Sequence, residues 1–274
     1  IEWNSGTYSQ DLPDRHHVMV ARDYTTIDDE IYEGVAIKEV LKTFIDGMEE
    51  KTERKPLNTK KLETTSFEAD KKLDHESFWK HVHPFLKEDD LIYGETGSAS
   101  QALGGMLMPK GVRYVSSQIW GAIGHMLPAL FGSLLANPKR RQLLFIGDGS
   151  FQVTGQELSR ILHNDLNPII FVIDNDGYTI ERYIMGMKSD YNDIPKWSYA
   201  QLPEVFTEKN QMKTFKVHTH GELESALKEA DNISNGILIE VHFHQEDAPE
   251  ALKKFGPAVA DINSGPRGPE NEDA

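Results

Sequence analysis

The sequence predicts a doubly wound α/β domain, a mainly parallel sheet with helices on both faces, and three observations carry that prediction. Residues 143–146 and 169–173 are short continuous runs of apolar, β-branched and aromatic residues, the composition of strands buried on both faces. Between them lies an amphipathic helical pattern of the length a parallel crossover needs. Each run ends in a polar turn, Gly147-Asp148-Gly149-Ser150 and Asp174-Asn175-Asp176-Gly177. A right-handed crossover brings both turns to the same carboxyl edge of one sheet.

From the amino end, residues 1–3 read as a short strand and 4–23 as a polar loop. Residues 34–48 show helical spacing through Val35, Ile37, Val40, Leu41, Phe44 and Ile45. One helix and one short strand cannot bury their own apolar face, so residues 1–49 imply a neighbouring domain. Residues 50–72 are dense in charge and poor in apolar side chains, which is linker composition. Residues 73–255 then alternate. A helix is expected over 75–86, strands near 91–94, 112–116, 143–146, 169–173, 215–218 and 236–243, and further helices over 121–135 and 222–230. Residues 256–274 are rich in Pro, Gly and acid and are expected to be a mobile tail.

The chain has 274 residues and a formal net charge of -15, which argues against nucleic acid or an anionic membrane as partner. With no cysteine, a disulfide framework and a zinc–thiolate site are excluded, and a cytoplasmic location fits. No apolar run approaches the ~20 residues of a membrane span. The chain starts at Ile1 without a basic-then-apolar leader, which is not the pattern of a secretory precursor.

At the shared edge the two turns place the Asp148 carboxylate, the Asn175 amide oxygen and a backbone carbonyl near Gly177 around one point. Hard oxygen donors of this kind suit magnesium or calcium, and magnesium is commonly completed by a ligand's phosphates and water. The helix opening at Gly149 and Ser150 offers backbone N–H groups and a positive dipole end to such phosphates. Gly149, lacking Cβ, lets a phosphate come close. Gly-Asp-Gly or Asn-Asp-Gly alone is an ordinary turn. The signal lies in their combination, with Asn175 27 positions after Asp148 at the end of the next strand.

These segments, GDGS with NDGYTIE, resemble the thiamine diphosphate motif of the pyruvate decarboxylase family. That family usually has two asparagines where this chain has Asp174-Asn175; the metal-binding second one is kept, and Asp174 adds a negative charge near the metal. The resemblance implies Mg2+ held by Asp148, Asn175 and Gly177, and a diphosphate held by Gly149 and Ser150. Ser98, in the strand end Tyr93-Gly94-Glu95-Thr96-Gly97-Ser98, stands where the family has a diphosphate-touching threonine. It also reads as a helix N-cap. By the same match Gly121 gives a carbonyl to the aminopyrimidine and Ile123 wedges the cofactor into its bent form, with Ala122 in place of a usual serine. A bare Gly-x-x-Gly at a helix start is otherwise close packing.

Glu181, one helical turn after Gly177, matches the family's catalytic glutamate for the substrate carboxylate and the later proton steps, a role that asks for a partly desolvated carboxyl. Ile180 matches a residue on the substrate side. The family performs non-oxidative decarboxylation of a 2-oxo acid, and the cofactor supplies the reactive carbon and the electron sink. Residues 1–49 resemble the end of the family's central domain, so His16-His17 is not the catalytic pair of its N-terminal domain. The N-terminal domain, whose glutamate activates the cofactor across a subunit interface, has no match here. The chain therefore reads as the C-terminal half of a decarboxylase, inactive without the missing domain, from a protein that forms a homodimer or homotetramer. Phenylpyruvate or indolepyruvate decarboxylases, an acetolactate-type carboligase and a catalytically silent assembly module are the rival readings. The pairs His81/His83, His218/His220 and His242/His244 lack the third and fourth ligands a zinc site needs and read as surface or interface residues.

Overall fold

The structure, a computed structural model, describes residues 18–47, 67–209, 212–232 and 235–264. It divides into two units, residues 1–61 and 62–274.

In the first unit the strands β1 (Val18–Val20), β2 (Tyr24–Ile27) and β3 (Glu30–Glu33) form an antiparallel meander. They are followed by the helix α1 (Ile37–Gly47). The expected polar loop over 4–23 is thus wrong at its end: Val18–Val20 pairs with β2, Val18 opposite Ile27. Asp28, at φ 51°, helps turn the chain between β2 and β3. The helical spacing was right, and Ile37, Leu41, Phe44 and Ile45 are all exposed on α1. The expected strand at 1–3 and the His16-His17 pair lie outside the described residues.

The second unit contains the helix α2 (His75–Phe85), the strand β4 (Leu91–Gly94), α3 (Ser98–Gly104), β5 (Arg113–Ser116), α4 (Met126–Ala136) and β6 (Gln142–Gly147). There follow α5 (Asp148–Thr154), α6 (Glu157–His163), β7 (Ile169–Asp174), α7 (Thr179–Met185) and α8 (Leu202–Phe206). The chain continues through β8 (Lys213–Val217), α9 (His220–Asn232), β9 (Ile237–His242) and α10 (Glu250–Ser264). The six strands form one sheet in the order β5-β4-β6-β7-β9-β8, and every pairing is parallel.

Side-chain alternation along the inner strands divides the core in two, as a sheet covered on both faces requires. Leu143, Phe145, Phe171, Ile173, Ile239 and Val241 pack with Phe78, Val82, Leu103, Leu223 and Ala226 from α2, α3 and α9. Leu144, Ile146, Ile170, Val172 and Leu238 face the other way, onto Leu127, Leu130, Phe151, Leu158 and Ile161 from α4, α5 and α6. Phe145 and Phe171, on adjacent strands, stack with centroids 4.6 Å apart, an aromatic cross-strand pair that fixes register.

Four boundaries differ from expectation. The helix expected from 121 begins at Met126, because Gly121 and Gly124 both have positive φ. The single helix expected between β6 and β7 is two short ones. Residues 67–72 of the expected linker dock on the turn after β8: Gly221 N–H donates to the Ala69 carbonyl at 2.9 Å and His220 N–H to that of Lys71 at 3.1 Å. The expected tail begins inside α10, which runs through Gly256 and Pro257 to Ser264.

Candidate functional site

In the strand order, β4 leads to β5 on one side and the chain then crosses to β6 on the other. The reversal between β4 and β6 is a topological switch point, where open α/β sheets hold ligands at the carboxyl ends of their strands. Ser98 follows β4, Asp148 follows β6 and Asn175 follows β7, so all three stand at that edge.

The Asp148 side chain is 1 % exposed. Its Oδ1 accepts the Gly149 N–H at 2.7 Å and its Oδ2 the Gly177 N–H at 2.9 Å, so the carboxylate ties two neighbouring strand ends together. Asn175 is buried beside it. With its amide nitrogen turned toward Asp148, it would donate to Asp148 Oδ1 at 3.2 Å and to the Gly177 carbonyl at 2.9 Å, and its oxygen would accept from Thr179 Oγ1 at 2.8 Å. In the opposite orientation the amide oxygen faces only these acceptors. A carboxylate, an amide and a carbonyl thus crowd one hollow, and without a cation only a turned amide satisfies it. Around Mg2+, with oxygens at about 2.1 Å in an octahedron, adjacent oxygens lie about 3 Å apart. The separations here match that spacing, so the donor set fits the cation. The Gly177 carbonyl also accepts the Thr179 N–H at 3.1 Å and retains its second lone pair.

Burial pushes the Asp148 carboxyl up to about 7, and the charge of Asp174 adds to the rise, against the Gly149 and Gly177 N–H groups that pull it down. Asp174 is raised as well, by burial first, while His242 opposes the rise.

Two glycines shape this edge. Gly177 has φ +128°, and a Cβ there would overlap the Asn192 carbonyl oxygen. A Cβ at Gly149 would strike the Tyr178 ring. The missing Cβ at Gly149 thus lets Tyr178 pack the start of α7 against α5. Ser150, on α5, is buried.

Ser98 is the first residue of α3, and Gly97, at φ 119°, takes the N-cap position expected for the serine. The segment with Gly121 and Ile123 reaches the same edge as a loop. Thr96 Oγ1 donates to the Ala122 carbonyl at 3.4 Å, Thr154 Oγ1 to that of Gly124 at 2.7 Å, and a Cβ at Gly124 would press on Val153. Close packing thus belongs to Gly124, whereas a Cβ at Gly121 would meet nothing within 4 Å among the described residues. Ile119, Trp120 and Ile123 are exposed, Trp120 by 87 %. Ile180 and Glu181 lie in the first turn of α7, both half-buried, and Tyr191 Oη donates to Glu181 Oε2 at 3.5 Å.

Two residues escaped the sequence reading. Glu95, fully buried at the end of β4, accepts the Thr96 and Met126 N–H groups, each at 2.9 Å, and so anchors the start of α4 to the switch point. Arg182 is 3 % exposed. It donates to the Asp176 and Met187 carbonyls at 3.1 and 3.2 Å and pairs with Asp193 at 2.5 Å, bracing the turn that holds Asn175 and Gly177. Nothing in the sequence marks either as buried. The histidines regroup across the sequence pairs: His81 Nε2 lies 2.9 Å from His220 Nδ1, and His218 stacks on His242 at 4.2 Å. His220, expected at the surface or at an interface, is 1 % exposed, because residues 67–72 cover it, Phe67 stacking on its ring.

Residues 95–241 match the family described as thiamine pyrophosphate enzyme, C-terminal TPP binding domain. The chain is 40 % identical to a pyruvate decarboxylase of Aspergillus fumigatus over 200 residues, 71 % of this chain and 35 % of that protein. It is 33 % identical to pyruvate decarboxylase isozyme 2 of Saccharomyces cerevisiae over 272 residues, 96 % of this chain and 48 % of the relative. Among solved structures, the thiamine diphosphate-dependent 4-hydroxybenzoylformate decarboxylase of Rhodococcus jostii superposes with a TM-score of 0.55 at 26 % identity, over 66 % of this chain and 34 % of that one. The chain spans about half the length, or less, of the relatives it matches.

Proposed function

This chain belongs to the thiamine pyrophosphate enzymes, of which it holds the C-terminal cofactor-binding domain, and from that premise we propose that it forms the diphosphate- and Mg2+-holding half of a non-oxidative 2-oxo acid decarboxylase. The reaction is pyruvate to acetaldehyde and carbon dioxide, the activity in the names of the relatives. The supporting observation is the hollow in which Asp148, Asn175 and the Gly177 carbonyl converge at adjacent strand ends.

In this reading those three groups hold the cation, and Ser98, Gly149 and Ser150 receive the diphosphate at the switch point. The Gly121 carbonyl takes the aminopyrimidine, and Ile123 supports the ring system from below. When bound, thiamine diphosphate supplies the nucleophilic carbon and the electron sink for the departing carboxylate. Glu181 orients the substrate carboxylate and moves protons at its Oε atoms, and Ile180 lines the pocket beside it. The exposed Ile119, Trp120 and Ile123 favour a covered state in which the N-terminal half, within a homodimer or homotetramer, closes the site. A cytoplasmic place of action belongs to the same proposal.

Calorimetry of the 274-residue chain with thiamine diphosphate, with and without Mg2+, tests the reading. Weak, Mg2+-dependent binding without turnover is expected. Absence of binding in both conditions overturns it. Adding the missing half is expected to give acetaldehyde; acetolactate as product would move the assignment to a carboligase.

A further inference from the structure

Asp174 ends β7 one residue before Asn175, and its side chain is only 12 % exposed. The parallel register sets it opposite His242 at the end of β9, and the Phe243 N–H donates to the Asp174 carbonyl at 2.9 Å. His242 Nδ1 lies 3.2 Å from Asp174 Oδ2, and Nε2 lies 2.8 Å from Glu240 Oε1. The ring thus stands between the two carboxylates, one nitrogen toward each. Glu240 is fully buried and is fixed in turn by the Ala200 N–H at 2.8 Å and Lys216 Nζ at 3.0 Å. His218 stacks on the outer face of the imidazole.

A carboxylate next to a cation ligand is itself a hard oxygen donor and competes for the positions that a diphosphate should take. We propose that His242 is a positioning residue for the cation hollow: bridging Asp174 and Glu240, it holds the Asp174 carboxylate toward β9 and leaves the cation to the oxygens of Asp148, Asn175 and Gly177. This rests on the cofactor site proposed above. A second cation site formed by Asp174, Glu240 and His242, whose ligand atoms lie within 4.8 Å of one another, is the competing reading. Against it, both carboxylates already have partners, Asp174 in His242 and Glu240 in His242, Lys216 and the Ala200 N–H.

The test uses the full chain as wild type, His242→Ala, Asp174→Asn and the double variant, with two calorimetric titrations: Mn2+ alone, and thiamine diphosphate at saturating Mg2+. His242→Ala frees Asp174, so Mn2+ is expected to bind tighter and thiamine diphosphate weaker, each by on the order of three- to tenfold. Asp174→Asn in the same background restores both to within about twofold of wild type. A structural defect, or a cation site that includes His242, would weaken Mn2+ binding, and that result overturns the proposal, as does an unchanged pair of affinities or a failed rescue. His242→Gln, which keeps the bulk and one donor, carries the same expectation at smaller size if the alanine variant does not fold. Wild type that binds no cofactor sinks the site itself; wild type that binds, with variants alike, sinks only the role of His242.

Discussion

Asp148→Asn separates what the carboxylate does for the fold from what it does for a cation. An aspartate in the unfolded chain titrates near 3.8, whereas burial and Asp174 push Asp148 up to about 7. Between those values the folded state keeps a proton that the unfolded state has lost. The metal-free protein therefore loses stability as pH rises through that window, by at most about 4 kcal/mol once the group is fully ionised. The carboxamide keeps the shape and does not ionise. For a unit of this size about 4 kcal/mol corresponds to roughly 8–16 °C in Tm. Thermal melts in chelator from about pH 4 to about pH 8 should show the variant gaining on wild type by up to that amount as pH rises. Mg2+ with thiamine diphosphate should reverse the order, raising the Tm of wild type and leaving the variant unmoved. A difference between the two proteins that stays constant with pH would refute the reasoning, since the carboxylate would then be ionised without cost.

Gly177→Ala brings a Cβ onto the Asn192 carbonyl at φ +128° and should cost about 3 kcal/mol or more in urea unfolding. His75 is fully buried, stacks on Phe243 at 4.3 Å, and has no hydrogen-bond partner at either ring nitrogen among the described residues. Burial lowers it to about 3, so it stays neutral in the fold, and wild type loses stability as pH falls from about 6.5 toward that value. His75→Phe removes this loss and should be the more stable protein at pH 4, by about 3 kcal/mol in denaturant titrations. In an assembled enzyme, Glu181→Gln should cut acetaldehyde formation by about 100-fold or more while calorimetry finds cofactor affinity unchanged.

The six-stranded sheet was legible because its inner strands are apolar on both faces, and continuous runs such as Leu143–Ile146 leave few alternatives. Asp148 and Asn175 were legible for a related reason, as polar turns at the ends of such runs. The first meander was missed because its strands are only three or four residues long and mostly exposed, so neither a continuous apolar run of strand length nor a period-two pattern marks them. Glu95 and Arg182 were invisible: a charged residue in sequence gives no sign that main-chain partners will be waiting for it in the interior. The late start of α4 and the N-cap at Gly97 depend on positive φ at glycines, which the sequence permits without requiring. His220 is buried by a segment whose composition reads as linker, and only the docking of residues 67–72 shows otherwise.

The strand order has a bearing on synthesis. β9 lies between β7 and β8 yet comes after both in the chain, so β8 leaves the ribosome before its neighbour in the sheet exists and β7 leaves it with one side open. Until His242 has emerged, the nascent chain holds β7 with one edge unpaired and β8 with both, the kind of surface that chaperones protect. Truncation just before β9 should therefore give an aggregating product rather than a smaller version of this domain.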